Sequence, residues 1–264
     1  MILNIQKYSP TVGHCFLLLA AVFVGQIAAG LALTGLPQSV VYAGAMLFPL
    51  GLVFVLARES SEEEIPLFCR KRPGGKTTAA IAAVAAMMTL CIIVLIDPLT
   101  SLIPMPQVVK DAFGQLFSSG KPADLIISTC IMAPLAEEFL CRGVIMRGLC
   151  SRISPRAATL WAAAIFAIMH ANPWQAIPAF ILGSLFGWAY FKTGRLWVPI
   201  ALHSLNNLTS CIFSLQFPSL EADCGLLDIM GNSYWIAFGC MLGIFILLVR
   251  LMKVILKYEE IISA

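Results

Sequence analysis

Charge is scarce in this chain of 264 residues: Asp, Glu, Lys and Arg together make up 12%, against 59% hydrophobic residues, and mean hydropathy is +0.89. Soluble globular domains carry about 25% charged residues, so that class is excluded. Histidine is rarer still, with only His14, His170 and His203. No His-Glu-x-x-His occurs, which excludes the helix-borne site of soluble zinc proteases. Gly-x-Ser-x-Gly is also missing, and no serine has an evident His-Asp partnership, so a serine hydrolase finds no support. The nine cysteines are an odd number without a Cys-x-x-Cys spacing. Lying mostly in apolar stretches, they read as small packing residues rather than disulfides or cluster ligands. There is no repeat of the length that marks a solenoid. Basic residues are spread over several loops, which argues against nucleic acid as a partner.

What the chain has in plenty is apolar runs of membrane-crossing length. The sequence predicts an all-α, polytopic transmembrane bundle of about eight helices, near 11–34, 37–57, 79–104, 123–149, 156–172, 175–192, 196–216 and 233–254. The first run is long and holds Gln26, so it reads as a retained helix rather than a cleaved signal. Cytoplasmic loops collect Lys and Arg. Placing both termini in the cytoplasm puts fourteen of the seventeen basic residues there, leaving Lys110 and Lys121 outside and Arg142 inside a helix. A multi-pass protein of a bacterial inner membrane is expected, with the lipid bilayer as its surroundings and an oligomeric state that composition leaves open. Residues 1–119 read as scaffold, 120–216 as the functional core, and 217–264 as an outer loop with a last helix. In the scaffold, His14 is expected at a solvated interface and Asp97 in a capping or interfacial role rather than a proton relay. The 58–76 stretch, with Glu62, Glu63 and Glu64 and then Arg70, Lys71 and Arg72, reads as a solvated loop.

Within the core, polar residues occur deep in apolar helices. A charged side chain at a helix centre in the bilayer costs about 2.5 to 3.5 kcal/mol or more, so such groups face the protein interior and carry function. Glu138 and Arg142 stand four apart on one helical face, in the favourable order for an ion pair. Glu137 is rotated about 100° away and left for other work, such as general base catalysis. Pro134 precedes it by three residues and can bend the helix there. Phe166 lies one turn before His170, after the small run Ala162, Ala163, Ala164 that allows close helix approach. His203 and Asn207 share a face while Asn206 points elsewhere. Two hydrolytic mechanisms use this set. In one, Glu137, His170, His203 and Asn207 hold a zinc or other divalent ion that activates water. In the other, Glu137 and His170 activate water directly, and His203 with Asn207 donates to an oxyanion.

Glu-Glu-x-x-x-Arg at 137–142, Phe-x-x-x-His at 166–170 and His-x-x-x-Asn at 203–207 resemble, in order and spacing, the CAAX protease and bacteriocin-processing family of intramembrane endopeptidases, also called the abortive-infection family. The resemblance covers roughly residues 120–215. It implies a bundle of about eight helices with a cavity open to membrane and cytoplasm. It also implies cleavage of a peptide or membrane-protein substrate near the cytoplasmic face. By position, Glu137 is then the activating carboxylate, Glu138 and Arg142 its supports, and His170 its partner. His203 with Asn207 stabilises the transition state or ligates a metal. The rival reading is a membrane protein without catalysis, either a transporter or a bacteriocin-immunity, partner-binding protein that keeps the fold. Midplane polar groups also suit a transporter, but no inverted repeat is visible.

Overall fold

The structure, a computed structural model, describes residues 8–58, 72–118, 121–217, 220–221 and 223–263. Most of the charged stretch read as a solvated loop, 59–71, lies outside the described residues, as do Lys7 and Cys69. No strand occurs among the described residues. The helices are α1 (Val12–Ala32), α2 (Gln38–Arg58), α3 (Gly75–Ser101), α4 (Gln107–Ser118), α5 (122–149), α6 (Pro155–Ile168), α7 (Pro173–Thr193), α8 (Trp197–Gln216), α9 (Leu226–Met230) and α10 (Tyr234–Ser263). The chain is an integral membrane helix bundle. By length and composition α1, Gln38–Ala57 of α2, α3 and the Leu226–Ile261 stretch each suffice to cross a bilayer. These four match expected spans. The other expected spans fall on the more polar α5, α7 and α8 and on α6, an apolar helix of 14 residues.

Several boundaries move from their expected places for local reasons. The span expected to run to 172 stops at Ile168, so His170 sits in a turn beyond the helix end. Ala171 adopts a left-handed φ of 57°, and the Asn172 side chain accepts from Gln175 N–H to start α7. A left-handed residue followed by a cap and Pro173 cannot continue α6. At its other end α7 stops at Gly194, whose φ of 60° suits glycine. Two helices were not expected. The first is α4, whose apolar and polar residues alternate at helical period, the pattern of a helix lying along a surface. The second is α9, whose first N–H groups, of Leu226 and Leu227, donate to the Asp97 carboxylate at 3.2 and 2.8 Å. Asp97 is thus a cap, as its sequence position suggested. His14 is not solvated as expected but half-buried and stacked on Tyr8 with ring centroids 5.9 Å apart. The loop before α9 is pinned by Lys110, which binds Asp223 and Glu221; these hydrogen bonds push its ammonium up to about 12.

Helix α1 packs on α2, α6 on α7, and α10 on α3. Between α6 and α7 the approach is close because Gly183 and Gly187 stand four apart. A Cβ on Gly187 would come within 2.9 Å of Thr159 Cγ2. The main core gathers the inner half of α5, from Leu140 to Leu149, with Leu18 and Val22 of α1 and Val53 and Ala57 of α2. Cys141, Val144, Ile145 and Met146 there have no exposed surface.

Candidate active site

Helix α5 is unusual in carrying two π-helical stretches, Ile127–Met132 and Phe139–Met146, on either side of the α-helical Ala133–Glu138. Pro134 has no N–H to give, so the regular ladder loses a bond there. The wide turn before it closes instead through Ala133 N–H donating five residues back to Ser128. Such π turns alter which residues share a face and are common at functional sites. Here they bracket Glu137 and Glu138.

Glu138 and Arg142 are both fully buried. Arg142 Nη1 donates to Glu138 Oε1 at 2.8 Å, the pair expected from their spacing. Its Nη2 donates to the Gly183 carbonyl at 2.7 Å, and its guanidinium lies 4.8 Å over the Phe166 ring. Glycine gives it room: a Cβ on Gly183 would lie 3.1 Å from both Arg142 Nη2 and Phe166 Cδ1, a tight contact. Glu138 Oε2 and Arg142 Nε find no hydrogen-bond partner among the described residues.

Glu138 Oε1 also accepts from His203 Nδ1 at 3.0 Å. A carboxylate that holds one imidazole nitrogen fixes the ring and turns the other toward its task. The ring is clasped by Phe166 and Phe186 at centroid distances of 5.3 and 5.9 Å. His203 Nε2 faces Glu137 Oε2 at 4.0 Å, too far for a direct hydrogen bond, so the two share a space rather than a bond. Glu137 is held from its other side by the Tyr42 hydroxyl, which donates to Oε1 at 3.1 Å. His170 Nδ1 bonds the Phe166 carbonyl at 2.8 Å. A carbonyl only accepts, so Nδ1 carries the proton and Nε2 is the ring's other, basic nitrogen.

A cavity of about 290 Å³ meets this site. Its lining includes Glu137, His170 and Asn207, three of the residues assigned to the site from the sequence, and Gln26, Gln38, Tyr42, Thr129 and Gln175, which were not. Glu138, Arg142 and His203 stand behind that wall. The first two helices are therefore more than scaffold. Gln26 carried a signal, a lone amide inside an apolar helix, and Gly183-x-x-x-Gly187 marked close packing. Tyr42 carried none. Asn207, expected as a donor paired with His203, is engaged with α5 and with its neighbour Asn206. It gives one N–H to the Thr129 carbonyl at 2.7 Å, and its Oδ1 accepts from Asn206 at 3.0 Å, so Asn206 does not point elsewhere. Asn207 thus braces α8 against the first π turn of α5.

The residues expected to hold a divalent ion do not fit one as placed. Among the described residues no three His, Cys, Asp or Glu side chains converge closely enough for a metal, and Asn207 has its oxygen occupied.

The arrangement defines a membrane-embedded bundle with a buried carboxylate, imidazole and guanidinium network behind a cavity carboxylate. Residues 120–209 match the family model of the type II CAAX prenyl endopeptidase, Rce1-like, so the segment bearing the three motifs is Rce1-like and the resemblance read from them stands. Among curated proteins, the putative membrane peptidase YdiL of Bacillus subtilis is 32% identical over 92 residues, 35% of this chain and 38% of that protein. The membrane-embedded CAAX protease MroQ of Staphylococcus aureus is 37% identical over 100 residues, 35% of this chain and 40% of that protein. The uncharacterized protein YyaK of Bacillus subtilis is 28% identical over 141 residues, 47% of this chain and 46% of that protein. The matched part spans less than half the length of each relative. No solved structure matches.

Proposed function

We propose that the protein is an intramembrane endopeptidase of glutamate type, residing in a bacterial inner membrane with both termini in the cytoplasm. The observation that carries this reading is the placement of Glu137: a carboxylate on a cavity wall, steadied by Tyr42, with an imidazole 4.0 Å away that is itself oriented by a second, buried carboxylate. The Rce1-like match of residues 120–209 and the printed names of two relatives support a peptidase.

In the proposed reaction, Glu137 takes a proton from a water that His170 Nε2 helps to orient. The water oxygen bonds to the scissile carbonyl carbon, and charge develops on the carbonyl oxygen. His203, oriented by Glu138, donates from Nε2 to that oxygen, and Asn207 adds its second amide N–H. Glu137 next delivers its proton to the leaving nitrogen as the C–N bond breaks, giving a carboxylic acid and an amine.

Purified protein in lipid nanodiscs, offered a library of internally quenched peptides and membrane-spanning substrates, tests this. Glu137→Gln is expected to lower turnover by about a hundredfold or more, the usual scale of a general base. His170→Ala and His203→Ala should do likewise while helical circular dichroism is retained. Chelators should leave turnover unchanged. Full activity in Glu137→Gln sinks the proposal, and a chelator loss restored by zinc would move Glu137 from base to ligand.

A further inference from the structure

We infer that the cavity admits its substrate from the non-cytoplasmic side of the membrane, through a mouth edged by glutamine amides, as an internal, uncharged stretch of extended peptide. That the substrate is a peptide rests on the peptidase reading; the sidedness rests on which end of the bundle is open and on how Lys and Arg sort between the two ends.

The bundle has two distinguishable ends. At one, α2 begins beside the start of α5, where the Asp124 carboxylate accepts from Gln38 N–H at 2.7 Å and from the Ser39 hydroxyl. The start of α7 lies there too, since Trp174 Nε1 donates to the Ile103 carbonyl just past α3. At the opposite end α5 finishes against the segment before α1: Ser9 Oγ donates to the Gly148 carbonyl at 3.2 Å, and Arg147 Nη2 to the Tyr8 carbonyl at 3.3 Å. Gln175, exposed, and Gln38, half-buried, place the cavity rim at the first end. Gln26 and Thr129, each two turns or less from the helix end there, continue the wall inward to Glu137. Toward the second end the way is filled by the fully buried Val144, Ile145 and Met146 and by Leu149, packed on Leu18 and Val22.

Charge tells which end is which. The plugged end carries Arg147, Arg152, Arg156, Lys192 and Arg195, whereas the open end carries Asp97, Asp111, Asp124, Glu221, Asp223 and Asp228 against Lys110 and Lys121. Lys and Arg mark the cytoplasmic side. The mouth therefore opens away from it.

The chemistry of the wall narrows what enters. Each glutamine amide presents a donor and an acceptor, the same complement as a peptide unit. Among the described residues no Lys or Arg lines the cavity, and Glu137 is the one Asp or Glu that does. A free terminal carboxylate would find no cation there and would face a like charge. An internal segment meets no such penalty.

Thiol labelling tests the sidedness without requiring turnover. Gln26→Cys is treated with a membrane-impermeant maleimide in intact spheroplasts and in inverted vesicles, and labelled positions are read by peptide mass spectrometry. Native Cys224 near the open end and Cys150 near the plugged end report which face was exposed. The expected result is labelling of Gln26→Cys together with Cys224 in spheroplasts. Labelling of Gln26→Cys only in inverted vesicles, or in neither preparation, overturns the inference. A second arm compares one peptide sequence placed internally or at a free carboxyl terminus, with at least tenfold faster cleavage expected for the internal site. Equal or faster cleavage at the free terminus overturns the substrate half. A chain that labels as expected but cleaves nothing refutes the peptidase reading and leaves the sidedness standing.

Discussion

Glu138 is the residue on which the site turns, because a single oxygen of its carboxylate holds both Arg142 and His203. Breaking a buried ion pair by removing one partner costs about 3 to 5 kcal/mol, since a charge is left uncompensated, whereas replacing both partners by apolar residues of similar volume is often neutral or stabilising. Here two polar atoms of the pair lack partners, which tilts the balance further toward the apolar replacement. Glu138→Gln should therefore melt well below the parent, and the double variant Glu138→Leu with Arg142→Met at or above it. Both should lose cleavage, because His203 loses the carboxylate that orients it. Thermal unfolding in detergent beside the peptide assay measures the two effects separately. A double variant as unstable as Glu138→Gln would make the pair a structural necessity instead. The pairing was legible in the sequence because i and i+4 share a helical face. The Tyr42 bond to Glu137 was not, since a contact across 95 positions leaves no local pattern.

At the scale of elements, the site depends on how α5 seats against α8. Thr129 takes the Asn207 amide, and one residue on, Cys130 Sγ lies 3.6 Å from Cys211 Sγ. Both thiols are buried, which agrees with their reading as packing residues, and their proximity reports the register of the two helices. Copper phenanthroline treatment of membranes is expected to join Cys130 to Cys211, seen as a linked peptide by mass spectrometry and lost in Cys211→Ser. If instead neither cysteine pairs, α5 and α8 are not seated in this register. Sequence periodicity revealed that these helices exist, because runs of apolar residues must be buried or lipid-facing whatever their neighbours. It did not reveal the π turns of α5, the first of which closes through Ala133 N–H donating to the Ser128 carbonyl just before Pro134, which has no N–H to give. Nor did it reveal that His170 lies past the end of α6, which a left-handed Ala171 and the Asn172 cap decide.

For the whole molecule, orientation decides what the site can meet. Positive charge gathers at one end of the helices and acidic loops at the other, an asymmetry visible in the sequence because loop composition needs no tertiary contact to be read. The depth and direction of the cavity were invisible there, since they depend on α1 and α2 lending Gln26, Gln38 and Tyr42 to a site whose motifs all lie beyond residue 120. An even number of crossings would return the chain to the side it started from. Thr77 of α3 accordingly donates to Glu259 near the end of α10 at 2.6 Å, while Tyr234 at the start of α10 meets the Val94 carbonyl at the far part of α3. Antiparallel packing of that kind sends the last helix toward the basic end. A fluorescent protein joined after Ala264 should therefore light up in the cytoplasm, and alkaline phosphatase in the same place should stay inactive. Phosphatase joined after Glu221 should be active. The reverse pattern would put the basic loops outside, against the usual sorting of Lys and Arg, and would turn the mouth of the cavity to the cytoplasm.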